Sequence, residues 1–344
     1  MMTPSTDGQV TAGFYMPAEW ERHTRCWMAW PCRPESWPDD EAFDAACRAY
    51  AEVARSISGF EPVTMVCDPA DVAEASLVCG NGAQMLPLPI GDSRIRYTGP
   101  SFVSDGAGGL AGIHWRFSAW GGKYPAHDKD RQVGRLLLEQ IGMPCIEAPL
   151  ALEGGAFHVD GQGTLLTTEQ CLLDPNRNPG LSRLEIEEQL KRHLGVSAII
   201  WLGEGYEQDG TGGHIDEIAC FVKPGTVLAL TTDDPNDPNH RPFQDNLARL
   251  RGARDAQGRE LEIITVRQPA RREQNGVRLT LSYTNLYIAN GGIVMPGFED
   301  PADDEAYRVV RRAFPDREVI QVPALDIVRG GGGIHSITQQ QPSG

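Results

Sequence analysis

No uninterrupted apolar stretch approaches about 18 residues, so nothing in the chain reads as a membrane span. The opening "MMTPSTDGQV" has neither a basic segment nor an apolar run, so no secretory signal is expected and a cytoplasmic location follows. Positive charge is scarce. Against 47 Asp and Glu stand 31 Lys and Arg, a net charge of −16, which excludes a nucleic-acid partner that needs clustered cations. That acidity would favour arrival of a cationic small molecule, although solubility alone accounts for it. Eight cysteines (26, 32, 47, 67, 79, 145, 171 and 220) include no CxxC pair and no pairing rhythm. A disulfide framework and a zinc site are therefore excluded, and free thiols buried in apolar runs such as "VTMVCDP" and "MPCIEAP" are expected. Neither metal nor cofactor is expected. No strand-to-helix turn carries a glycine fingerprint, which weighs against a doubly wound dinucleotide fold.

What the chain does contain is a recurring unit: an amphipathic helix, a Gly, Pro or Asp break, then a short apolar strand. It occurs at 49–67 ("AYAEVARSISGFEPVTMVC"), 131–150, 186–202, 243–266 and 305–324. Apolar residues in the first halves recur at i, i+3 and i+4, and the second halves are β-branched over four to six residues. Gly-rich strand-like stretches such as "GTLLTTEQCLL" and "GTVLALTT" lie between them. Each unit reads as a helix on a small sheet that cannot bury its face alone, so five such units around an axis would share a core. No linker interrupts the series, and residues 1–344 read as one domain.

Three stretches carry polar residues that a core does not require. "ALEGGAFHVDGQGTLLTT" places Glu153 before two glycines at the start of a strand, and "GTGGHIDEIACFV" places His214 and Asp216 two apart. On a strand, positions i and i+2 share a face, so this imidazole and carboxylate would address one space. The third stretch, "RGGGGIHSITQQQP", sets Ser336 behind four glycines, which permit close backbone approach and positive φ. Read alone, each has a plainer meaning: Glu153 a surface cap or ion pair, His214 with Asp216 a structural pair, the glycines a turn or a flexible tail. A metal held by His214, Asp216 and His158 lacks ligand spacing and ranks below a metal-free site.

Taken together, "GFYMPAEWERHTRCWMAWP", "FSAWGGKY", "LEGGAFHVDGQGTLLTTEQCLLDPNRNP", "GHIDE", "SYTNLYIANGGIVMPGF" and "GGGGIHSITQQQP" resemble the agmatine deiminase family of the guanidino-group-modifying superfamily. The resemblance runs nearly end to end. It implies a five-bladed α/β propeller of the pentein type, built of ββαβ-like units, and a dimer or larger homo-oligomer. It also implies a cysteine in the last Gly-rich motif that attacks a guanidinium carbon, releasing ammonia before water frees a ureido product. His214 matches the general acid/base, Glu153 the carboxylate that tunes it and Asp216 a carboxylate on the guanidinium nitrogens. Trp120 and Gly333 fall among the substrate-binding positions.

Two positions depart from the family pattern. Its cysteine falls on Ser336, whose hydroxyl stays protonated where a thiol ionises. The first reading is an engineered Cys-to-Ser replacement that holds ligand without turnover; a natural Ser336–His214–Glu153 triad and a binding-only guanidine or azole sensor are the alternatives. The second departure is Tyr97, where the family has an aspartate before Thr-Gly-Pro, with Ser118 in place of an asparagine pointing the same way. One carboxylate fewer suits a flatter, less cationic substrate, with hydrolytic denitration of 2-nitroimidazole as the concrete case. The alternative is ordinary agmatine deimination, with Asp92 or Asp105 filling the vacant role.

Overall fold

The structure is a computed structural model and describes residues 13–124 and 127–344. Its strands form five small blades with one pattern, plus a two-stranded hairpin at residues 273–278. In the second blade Ser101–Ser104 pairs antiparallel with Leu110–Arg116, which pairs parallel with Cys145–Ala151. The third repeats this with Phe157–Val159, Thr164–Thr168 and Ala198–Leu202, and the fourth with Ala219–Lys223, Thr226–Thr231 and Glu262–Arg267. The fifth uses Tyr287–Ala289, Gly292–Gly297 and Glu318–Pro323. In the first, Thr338–Pro342 from the end of the chain pairs antiparallel with His23–Ala29, which continues parallel to Val63–Cys67 and Gln84–Pro87. The helix and parallel strand of each blade are the five units legible in the sequence.

Local chemistry explains the units. Asp39 caps helix Asp40–Ser58 by accepting from the Ala42 N–H at 2.9 Å, and Ser182 and Glu185 form a capping box before Arg183–Leu194. That helix stops at Gly195 (φ +67°), where a left-handed residue is needed. The strand Val63–Cys67, covered on both faces, is buried throughout.

The core links neighbours in a circle. One apolar cluster joins the first and second blades (Trp27, Val66, Phe102, Leu137), and another the second and third (Ile113, Leu150, Phe157, Leu190). A third runs from the third through the fourth to the fifth (Leu202, Phe221, Leu228, Met295), and the last returns from the fifth to the first (Met28, Met65, Tyr287, Val294). All eight cysteines are free; six are buried, Cys32 is half-buried and Cys145 is exposed. Cys145 corrects the expectation for "MPCIEAP": alternate residues of that strand face outward.

Candidate functional site

The connections between blades, rather than the strands, carry the polar residues. Glu153 lies in the loop after Cys145–Ala151, not at a strand's start, and His214 leads into a short 3₁₀ turn, Ile215–Glu217. The period-two argument for His214 and Asp216 therefore fails, yet the tight turn still leaves His214 Nδ1 and Asp216 Oδ1 3.9 Å apart. The glycine run is neither tail nor plain turn. Gly331 and Gly332 both take φ +86°, and the loop carries Ser336 into a position with no exposed surface. The glutamines secure it: Gln341 accepts from Trp27 Nε1 at 3.0 Å and Gln340 from Arg96 Nη1 at 2.6 Å.

Three donors converge on Ser336 Oγ: the Tyr97 hydroxyl at 2.6 Å, the Gly333 N–H at 3.0 Å and Asn285 Nδ2 at 3.3 Å. Gly333 is thus engaged by Ser336 itself, and a Cβ there would meet Asn285 Oδ1 at 2.6 Å. Among the described residues Ser336 Oγ donates to nothing, so the pocket is arranged for an atom carrying negative charge. Tyr97 stands between this atom and the imidazole, its ring edge-on to His214 with centroids 4.8 Å apart. It also packs edge-on to Trp120 at 6.0 Å. Trp120 and Ala119 hold positive φ (+56° and +50°), a conformation that costs each about 1–3 kcal/mol, and Trp120 Nε1 is buried without a partner.

His214 uses one nitrogen for support. Nε2 meets Glu153 Oε2 at 3.3 Å, and Arg177 Nε donates to the same carboxylate oxygen at 3.0 Å. The other carboxylate oxygen is reached by Ser118 Oγ at 3.5 Å. Burial opposes a charge on His214, but its contacts with Cys171 and Glu153 outweigh that and push its pKa up to about 10. Burial likewise opposes ionisation of Glu153, yet Arg177 and His214 hold its pKa down to about 2. His214 Nδ1 and Asp216 Oδ1 are both buried without a hydrogen-bond partner. They flank Gly155, where an added Cβ would lie 2.8 Å from His214 Nδ1, 2.6 Å from Asp216 Oδ2 and 2.5 Å from Tyr97 Cε1. No hydrogen bond joins Ser336 to His214 among the described residues, so the direct triad named as an alternative is not formed.

A second buried relay stands behind Asp216. His335 Nδ1 meets Asp216 Oδ2 at 3.0 Å, and its Nε2 meets Glu19 Oε1 at 2.9 Å, an oxygen that also accepts from Arg96 at 3.1 Å. Burial and Arg96 oppose a proton on His335, but the two carboxylates prevail and its pKa is raised. His158 belongs here, 3.5 Å from Glu19, rather than with His214 and Asp216 as the metal reading required. Glu153, Cys171 and His214 lie close enough to hold an ion, as do Glu19, His158 and His335. In each group the carboxylate is already bound by an arginine, Arg177 or Arg96, which disfavours a cation.

Asp92 and Asp105, the candidates for an aspartate's role at position 97, are both engaged elsewhere. Asp92 accepts from Arg94 Nε at 2.8 Å and Nη2 at 2.5 Å, and exposed Asp105 accepts from the Ala107 and Gly109 N–H groups, each at 2.8 Å. Glu217 is buried beside Asp216 and Asp209, and burial first, with those neighbours, pushes its pKa well above the usual carboxylate range. Around the site Glu19 is paired with Arg96 and His335, Glu153 with Arg177 and His214, and Asp216 with His335. Sequence reasoning gave no role to Asn285, Arg177, His335, Glu19 or Arg94. All but Arg94 lie within the quoted motifs, but a side chain's partner across the ring leaves no local signal.

A family model described as Porphyromonas-type peptidyl-arginine deiminase matches residues 15–342. A protein of Legionella pneumophila (strain Paris), named provisionally as an agmatine deiminase, is 49% identical over 332 residues and 96% of each chain. The agmatine deiminase of Stutzerimonas stutzeri (strain A1501) is 44% identical over 367 residues and 99% of each. Among solved structures, an agmatine deiminase of Enterococcus faecalis superimposes with a TM-score of 0.95 at 34% identity, covering 99% of this chain and 100% of its own.

Proposed function

We infer the function from one premise: the chain belongs to the agmatine deiminase family. On that premise the protein is a hydrolase of a C–N bond at a guanidine-type carbon, with position 336 as the nucleophile. The observation that carries this is the set of three donors on Ser336 Oγ, from Tyr97, Gly333 and Asn285, with no acceptor for its own proton. With cysteine at 336 its thiolate attacks the planar carbon and a C–N π pair moves onto nitrogen; a serine hydroxyl would need a base for its proton, and none is within hydrogen-bond reach among the described residues. As the tetrahedral adduct collapses, His214 gives the proton on Nδ1 to the departing nitrogen, and ammonia leaves. Water then attacks the covalent intermediate, His214 takes back a proton, and the ureido product is released. Glu153, fixed by Arg177, keeps His214 charged and oriented, while Asp216 Oδ1 accepts from a substrate N–H.

A hydroxyl is poorly suited to this position, and a thiol would ionise under the same three donors. Ser336→Cys is therefore expected to raise ammonia release from agmatine by about 100-fold or more and to create a thiolate alkylated by iodoacetamide. Neither appearing would remove the nucleophile assignment.

A second reading concerns the substrate, favoured by Tyr97 and by carboxylates that are already matched. A flat, less cationic azole also presents a carbon bonded to two nitrogens and a leaving group. With 2-nitroimidazole, the nucleophile displaces nitrite and water then yields the 2-hydroxy azole; one water is consumed per nitrous acid released. Ammonia and nitrite assays on the Ser336→Cys protein decide between the two. Strong agmatine turnover without nitrite ends the azole reading, nitrite without ammonia ends the agmatine one, and binding without either product marks a sensor.

A further inference from the structure

Outside the Ser336 loop lies a cavity of about 750 Å³ whose lining the hydrolytic chemistry does not use. Its charged lining is Arg33, Arg94, Lys129, Arg329 and Glu35. The carboxylate partners of these cations stand off the cavity. Asp92 grips Arg94 at 2.8 and 2.5 Å, Asp68 holds Lys129 at 2.9 Å, and Asp326 holds Arg329 at 2.6 Å. Arg33 is looser, 3.7 Å from both Asp92 and Asp130 and 3.9 Å from Glu35. The wall is thus polarised, with its cations at the cavity and most of their counter-charges behind.

Arg94 gives this wall a direction. Its side chain is about nine-tenths buried and its guanidinium lies 4.1 Å over Trp120, yet among the described residues Nη1 makes no hydrogen bond while Nε and Nη2 both do. Nη1 is 3.1 Å from where a Cβ on Gly331 would sit, at the cavity's edge. One residue further, a Cβ on Gly332 would lie 3.2 Å from Arg94 Cδ and 2.8 Å from Ser336 Cβ. A directional donor on a fixed cation therefore stands between the cavity and the nucleophile position, where an aminoalkyl tail would meet like charge.

We propose that this cavity is an anion subsite receiving a carboxylate at the far end of the substrate. Resting on the hydrolytic reading above, it makes the substrate class a guanidino or amidino acid rather than an aminoalkyl guanidine. The overall charge of −16 draws in cations generally, but the cavity selects locally for the opposite sign.

Calorimetric titration of the Ser336 protein with 4-guanidinobutanoate and with agmatine tests this without turnover. The acid is expected to bind about tenfold more tightly, with its affinity falling as salt is raised. Arg94→Gln and Arg33→Gln should each weaken acid binding by about fivefold and leave agmatine unchanged or improved. Arg33 makes only ion pairs of 3.7–3.9 Å and no side-chain hydrogen bond among the described residues, so its variant remains informative if Arg94→Gln misfolds. Tighter binding of agmatine, or acid binding indifferent to both arginines, overturns the subsite. Turnover is a separate readout in Ser336→Cys. Arginine-dependent acid binding with no ammonia from any guanidine keeps the subsite and removes the hydrolytic reading; ammonia with arginine-independent KM does the reverse.

Discussion

Tyr97 supplies the shortest of the contacts on Ser336 Oγ, at 2.6 Å, and its phenol is held in the neutral form by burial first and then by the neighbouring Asp216. A neutral phenol can donate throughout the working pH range, so with cysteine at 336 it would stabilise the thiolate directly. A hydrogen bond to a charged acceptor contributes roughly 1.5–3 kcal/mol, or about one to two pKa units. Adding Tyr97→Phe to Ser336→Cys should raise the pH midpoint of iodoacetamide alkylation by that amount. An unmoved midpoint would show that the phenol packs without acting. Ser336, His214, Glu153 and Asp216 stood out in the sequence because each sits in a long motif whose resemblance implied a role, and Tyr97 because it departs from the family pattern. Asn285 and His335 lie in equally recognisable motifs, but their importance is a matter of partners, since Asn285 Oδ1 accepts from the His335 N–H at 2.8 Å across fifty residues. Which side chains meet across the ring is a tertiary property with no local period.

The helix-and-strand halves of the blades were readable from periodicity, because period 3.6 and short β-branched runs follow from burying one face. The site segments were not, because glycine-rich connections follow no period and their φ values are set by what they approach. His214 and Asp216 show the consequence: the expected strand is a 3₁₀ turn, and their shared orientation comes from that turn's tightness. Gly155 is the sharpest constraint among these connections. Its φ is not positive, so its need for glycine is one of space alone, with three site atoms between 2.5 and 2.8 Å from an added Cβ. Gly155→Ala must push Tyr97, Asp216 and His214 apart. Forcing an extra methyl into a packed site costs typically about 1–3 kcal/mol, so Tm should fall modestly while activity in the Ser336→Cys protein falls by about 100-fold or more. Undiminished kcat/KM would mean that this space is not where substrate sits.

The whole molecule ties its stability to the same charges. The ring closes through Thr338–Pro342 on the first blade, and the loop just before this strand carries His335 and Ser336 into the site, so closure and site formation are one event. His214 and Glu153, both without exposed surface, make that event pH-dependent in opposite directions. Glu153 has a folded pKa of about 2 against an ordinary 4.5, so its contribution is present above about 4.5 and lost as pH falls towards 2. His214 has a folded pKa of about 10 against an ordinary 6.5, so its contribution is full below about 6.5 and lost as pH rises towards 10. Stability should therefore be greatest between about 4.5 and 6.5, with alkaline loss beginning near neutrality and reaching on the order of a few kcal/mol. His214→Gln removes the titrating ring. It should lower Tm near pH 6 and flatten the decline between pH 7 and 10, as read by thermal unfolding across that range. Glu153→Gln leaves buried Arg177 without its carboxylate and should cost about 3–5 kcal/mol near neutral pH. A His214→Gln protein that still loses stability between pH 7 and 10 as steeply as its parent would place the alkaline-sensitive charge outside the site, and separate ring closure from the chemistry it encloses.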